Sequence, residues 1–201
     1  MVRDVRNIAR GLAARFAVLR ARDFERHGVS RHWLKTLVGE GQWERTGRGL
    51  YHSTRRSPGP NHSLLEVTRQ SPQAVICLLS ALRFHELTTE TPSEVWIALP
   101  RNAWTPHASS VRMKVVHLTG ASFTAGIEEH RIEGDTIRIY SVAKTVADCF
   151  KFRNQIGTQI AVEALRDAWR SRKMTIDDLW QHAKICRVAN VIRPYLEVVT
   201  Q

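Results

Sequence analysis

The chain has 201 residues, enough for one large domain or two small ones. Hydrophobic residues make up 43% and charged residues 24%, ordinary globular usage that excludes wholesale disorder. With 30 Lys and Arg against 19 Asp and Glu, the formal net charge is +11, a balance that points to an anionic partner. The longest unbroken apolar run, Ala74 to Leu79, is too short to span a bilayer, so no membrane partner is expected. Arg3, Asp4, Arg6 and Arg10 interrupt the start of the chain and argue against a secretory signal. An Arg-rich transit peptide over residues 1–22 is the nearest rival, but that stretch lacks serine and runs on into a recognisable motif. Cys77, Cys149 and Cys186 form no C-x-x-C pair, and they read as small buried hydrophobes, reduced in a cytoplasmic protein.

The charge is unevenly distributed. Residues 1–56 contain 13 Lys or Arg and 5 Asp or Glu, a net of +8, whereas residues 57–201 contain 17 and 14, a net of +3. Between them, Ser57-Pro58-Gly59-Pro60 breaks regular structure and is the expected linker. Three parts follow: a domain over 1–56, a linker over 57–60, and a larger domain over 61–201.

In the first part, Val5, Ile8, Ala9, Leu12, Ala13 and Phe16 recur at helical spacing. Phe16 to Leu19 is either a short strand or a continuation of that helix. A second helix is expected over Ala21 to His27, with Phe24 facing inward and Gly28 ending it. Ser30 is a good N-cap for a third helix, with Val29 placed to staple onto Leu34. Trp33, Leu34, Leu37 and Val38 form its apolar stripe, and Arg31, His32, Lys35 and Thr36 face out. Two short helices joined by a glycine-containing turn, the second starting with basic and hydrogen-bonding residues, describe a helix-turn-helix. In that motif the start of the second helix enters the major groove, where Arg31 can read guanine and Lys35 can reach guanine or phosphate. Trp43 to Thr46 and Gly47 to Tyr51 read as two short strands around a glycine-rich turn. They make a wing, with Arg45 and Arg48 placed for phosphates or the minor groove. The expected DNA-binding residues are therefore Ser30, Arg31, His32, Lys35, Thr36, Arg45 and Arg48.

In the second part, Asn61 to Gln70 is helix-compatible, and Ala74 to Leu87 reads as a buried helix after a brief strand-like start. Glu94 to Leu99 and Val111 to Leu118 read as strands, separated by a loop with Trp104, Pro106 and His107. Ile127 to Ile132 and Thr136 to Tyr140 flank Gly134-Asp135 as a hairpin. From Ser141 the chain turns helical, over Val142 to Phe150, Ile156 to Arg172 and Ile176 to Val188, then a final stretch around Pro194. The whole reads as an α+β protein, a winged helix-turn-helix followed by a larger mixed domain ending in helices.

Signals for catalysis are weak. His182 and Cys186 share a helix face, but no second ligand pair accompanies them, so no metal is expected. Asp177 and Asp178 suit the first turn of a helix, Ser141 suits an N-cap, and Asp148 reads as an exposed or hydrogen-bonded helix residue. Phosphate-cradling loops and nucleophile elbows are missing from the sequence, and adjacent His85 and Glu86 cannot face each other on a helix. No cofactor is expected, and an enzyme is not.

Gly28-Val29-Ser30-Arg31 with its helix, followed by Gly47-Arg48-Gly49-Leu50-Tyr51, resembles the N-terminal winged helix of AbiEi-type antitoxins. The similarity continues through Leu79-Ser80-Ala81-Leu82, the Pro92 to Pro100 region and Gly134 to Ser141. It is strongest at Ser141-Val142-Ala143-Lys144-Thr145-Val146-Ala147-Asp148-Cys149-Phe150. The family usually has glycine where this chain has Asp135, and both residues suit a turn. The resemblance implies a bacterial repressor of its own operon, acting at inverted repeats in double-stranded DNA. It further implies an antitoxin that counters a nucleotidyltransferase-like toxin, directly or functionally, with Lys144, Thr145 and Asp148 as the residues tied to that role. The alternative is a winged-helix regulator with a ligand-sensing C-terminal domain and no toxin. A nucleic-acid-processing enzyme delivered to its substrate by a basic domain is a third possibility.

Overall fold

A computed structural model describes residues 2–55, 57–105 and 111–199. Arg56, the last residue of the expected first domain, and Pro106 and His107 of the expected loop lie outside the described residues. The chain is an α+β protein that divides into two compact units. The first comprises the described residues of Met1–Gln73, Pro106–Arg112 and His130–Ile137; the second comprises Ala74–Thr105, Met113–Glu129 and the described residues from Arg138 onward.

The first unit begins with helix α1 (Val2–Arg15), which buries Val5, Ala9, Leu12 and Ala13 along one face. Strand β1 (Val18–Arg20) follows, so the stretch after Phe16 is a strand and not more helix. Next come α2 (Ala21–Arg26), α3 (Arg31–Gly39), β2 (Trp43–Gly47), β3 (Leu50–Ser53) and α4 (His62–Gln70). The three strands form an antiparallel sheet in the order β1-β3-β2. Gly49 takes a φ of +72° in the turn between β2 and β3, where a side chain would be strained. Val29, Leu34, Phe24, Leu37 and Trp43 share one core with α1 and β1.

Helix α4 packs on β1 and β3 and belongs to this first unit. The first unit thus runs on through α4 to Gln73, past the expected linker at 57–60. Buried polar contacts show why. Arg69 of α4 donates to Asp23 Oδ2 at 3.0 Å and also pairs with Asp135, while Arg20 Nη2 donates to the Gln70 carbonyl at 2.9 Å. Burial pushes the Asp135 carboxyl above its ordinary range, more than the Arg69 guanidinium holds it down.

The second unit carries β4 (Val75–Ile76), α5 (Leu78–Phe84), β5 (Val95–Pro100), β6 (Met113–Leu118) and α6 (Ala121–Thr124). Strands β7 (Ile127–Ile132) and β8 (Asp135–Tyr140), whose hairpin end over His130–Ile137 is counted in the first unit, complete a five-stranded sheet in the order β6-β5-β4-β8-β7. Helices α7 (Val142–Lys151), α8 (Arg153–Ile156), α9 (Thr158–Arg170), α10 (Ile176–Cys186) and α11 (Ala189–Val199) close the chain. The expected helix from Ile156 is broken at Gly157, whose φ is +96°, and Pro194 lies inside α11. The hairpin turn is Glu133-Gly134, with φ of 49° and 87°, not Gly134-Asp135. Asp135 instead opens β8, where it is buried and paired with Arg69. No described helix is long and apolar enough to cross a membrane.

Candidate nucleic-acid interface

Helix α3 starts where the sequence sets it. Ser30 Oγ accepts the Trp33 amide at 3.4 Å, and Val29 just before it is fully buried. Leu34 and Leu37 point into the core, which turns Arg31, His32 and Lys35 to solvent. The Ser30 hydroxyl is thus occupied with its own helix. Thr36 is half-buried, and its hydroxyl donates back to the His32 carbonyl at 3.3 Å.

Facing α3, the β2–β3 hairpin brings up Arg45. Its Nε donates to the Gly47 carbonyl at 3.2 Å, which fixes the base of the side chain and leaves the guanidinium exposed. Arg31, Lys35 and Arg45 line a single groove of about 560 Å³ between helix and hairpin. Ser30, Arg31 and His32 also line a shallower depression beside it, so Arg31 borders both. Arg48 is exposed at the hairpin turn and lines neither; Thr36 lines neither as well.

Arg31 Nε sits 2.7 Å from Glu25 Oε1. The Arg31 side chain is 80% exposed and the Glu25 side chain 40% exposed. An ion pair that open to solvent contributes on the order of 0–1 kcal/mol. A phosphate or guanine edge can therefore displace Glu25 at little cost.

Lys144, Thr145 and Asp148 lie in wholly different surroundings. All three are buried in α7, with exposures of 0%, 0% and 1%. The exposed alternative for Asp148 is thus corrected, and none of the three presents a surface to a partner. Lys144 Nζ donates to Asp148 Oδ2 and sits 4.0 Å from the centre of the Tyr140 ring. Cys186 Sγ donates to the other carboxylate oxygen at 3.2 Å, and Thr145 Oγ1 donates to the Tyr140 carbonyl at 3.1 Å. Burial, reinforced by Asp148, pushes the Cys186 thiol up to about 12, so it is an inert neutral donor at neutral pH. Burial and then Lys144 hold the His182 imidazole below its ordinary value. At Gly126, with a φ of +71°, an added Cβ would come within 2.7 Å of Lys144 Cβ and 2.9 Å of His182 Cε1. Spacing put His182 and Cys186 on one helix face; what sequence reasoning missed was the Lys144–Asp148 pair and that Tyr140 and Gly126 close over it.

His85 does not pair with Glu86. Its Nε2 lies 2.7 Å from the Tyr140 carbonyl, while Glu86 faces Lys173. Asp178 completes a capping box with Thr175 at the start of α10. No family model matches this chain, and no curated protein matches it either.

Proposed function

We propose that the first unit is a winged helix-turn-helix that binds duplex DNA, with α2 and α3 as the two helices and β2–β3 as the wing. The observation that carries this reading is the convergence of Arg31, Lys35 and Arg45 on one groove between an exposed helix and a hairpin. These cations belong to a segment whose net charge is +8. In this reading Arg31 and His32, at the start of α3, approach base edges. Lys35, Arg45 and Arg48 neutralise phosphates, which position the protein without reading sequence. Ser30 and Thr36 shape the helix that presents them.

The chain acts, on this reading, as a repressor at inverted repeats in the cytoplasm and as the antitoxin to a nucleotidyltransferase-like toxin. The antitoxin half is supported by the family resemblance around Ser141 to Phe150. Because Lys144, Thr145 and Asp148 are buried, their part is to hold α7 in place, and any toxin contact falls to exposed residues of the second unit. No catalytic step is assigned.

A gel-shift series across salt concentrations tests the DNA half. Affinity should fall steeply with salt, because each neutralised phosphate releases counterions. Salt-independent binding, or binding untouched by replacing Arg31, Lys35 and Arg45 together with Ala, would overturn it. Co-expression with a nucleotidyltransferase-like product of an adjacent reading frame tests the antitoxin half, where growth arrest that the chain fails to relieve refutes it.

A further inference from the structure

Arg31, Leu34, Lys35 and Val38 recur at i, i+3, i+4 and i+7, so they form one stripe along α3. All four line the groove that Arg45 and Tyr51 close from the other side. Arg45 and Tyr51 are direct cross-strand partners in β2 and β3, which puts both on the same face of the hairpin. The groove thus has an apolar floor, made by Ala21, Leu34, Val38 and Tyr51, beneath three cations. That floor is held from below: Phe24 meets the Tyr51 ring edge-on at 5.9 Å and the Trp43 ring edge-on at 4.8 Å.

Phosphate contact calls for cations but not for an apolar recess. A volume of about 560 Å³ lies within the range of small-molecule sites, and apolar walls with a few convergent polar groups are their usual lining. Among the described residues no carboxylate pairs with Lys35 or Arg45, so two of the three cations are open to an incoming anion. We infer that this groove binds a small organic anion with an apolar body, of the aromatic carboxylate class. The ring lies on Val38 and Tyr51, and the carboxylate meets Lys35 and Arg45. A neutral hydrocarbon would forgo the cations, and a small hydrophilic anion would forgo the floor. Binding of the anion stands on the groove alone. Its consequence, that the anion and DNA exclude each other because both need Lys35 and Arg45, rests on the DNA-binding reading above.

The test is calorimetric titration of the full chain with 2-naphthoate, with acetate and 2-naphthalenemethanol as the charge-only and ring-only controls. Naphthoate should bind saturably at one site and neither control should. Lys35→Ala and Arg45→Ala, both on exposed side chains, should each weaken it by about tenfold, the loss expected for one charge-assisted hydrogen bond. Arg10→Ala, on the exposed face of α1, should leave it unchanged. Failure to saturate at millimolar naphthoate, equal binding of acetate, or indifference to both substitutions would each overturn the inference. A gel shift run in parallel keeps the two readings apart. A protein that shifts DNA without binding naphthoate refutes this inference alone, whereas one that binds naphthoate without shifting DNA supports it and refutes the DNA reading. Naphthoate that binds yet fails to displace DNA overturns the exclusion.

Discussion

The cations around α3 and the cation at the centre of the second unit differ in everything that surrounds them. Arg31 is held by a solvent-exposed glutamate, and Lys35 and Arg45 have no carboxylate among the described residues. Lys144 is fully enclosed, bonded to Asp148 and seated on the Tyr140 ring. In water a charge is solvated cheaply and stays available, so the first arrangement suits exchange with an outside anion. Inside the protein a charge needs its partner permanently, because the desolvation cost is several kcal/mol per ion. Identical residue types thus serve opposite ends, and the difference between them can be measured.

The sharpest test breaks the buried pair. Asp148→Ala would leave the Lys144 ammonium unpaired and Cys186 without its acceptor, and should cost about 3–5 kcal/mol in urea unfolding. Replacing both partners, Lys144→Met with Asp148→Leu, should restore most of that loss, since an apolar pair of similar volume needs no partner. A single substitution costing under about 1 kcal/mol would mean that water reaches the pair.

On the exposed side the effects move from stability to binding. Arg31→Ala should narrow the gap between specific and non-specific DNA by about 1–3 kcal/mol in competition gel shifts, if it makes a bidentate guanine contact. Its thermal midpoint should barely change, because surface substitutions usually stay within about 0.5 kcal/mol. A large drop in midpoint with unchanged specificity would reverse the assignment. Arg48→Ala should weaken both classes of DNA alike and reduce the slope of log affinity against log salt by about one. A selective loss for one DNA sequence would put Arg48 among the base-reading residues.

The smallest effect concerns His182, which faces Lys144 and Asp148 of α7 and feels Asp178 of its own helix. Its native pKa is lowered, so as pH falls through about 6.5 the unfolded chain takes up the proton first. Stability is therefore fully present above that value and is lost as pH falls toward the native pKa. Thermal midpoints of the natural chain and of His182→Gln should converge or cross on acidification, with the natural chain losing more. Parallel curves would show that His182 titrates alike in both states.

How much of this was legible in the sequence varies with how local the cause is. The start and core face of helix α3 could be read, because Val29, Ser30 and Leu34 are near neighbours with one physical job each. The groove could be read only by half: the spacing of Arg31 and Lys35 was visible, but the cross-strand pairing that brings Arg45 and Tyr51 to them was not. The hairpin turn was misplaced by one residue. Asp135 has the chemistry of a turn residue, yet Arg69, far upstream, draws it into a buried pair and leaves Glu133 to take the left-handed conformation. The packing of α4 onto β1 and β3 likewise lacked a local signal, since Pro58 and Pro60 mark only a local break in the chain. The burial of Lys144 and Asp148 had no local signal at all, as their i, i+4 spacing is equally at home on a solvated helix face.

The pairing of Arg69 with both Asp23 and Asp135 also sets an order of events at the ribosome. Arg15, Asp23 and Arg69 leave the exit tunnel well before Gly134 and Asp135 are made. Gly134 is seated so close to the Arg15 carbonyl that an added Cβ would lie 2.0 Å from its oxygen. At about 5–20 residues per second, translation separates the two groups by some seconds. Until Asp135 is made, Arg69 has only Asp23 of its two carboxylate partners available. The first compact unit, which holds the segment richest in positive charge, therefore cannot be completed until residues 130–137 have been made.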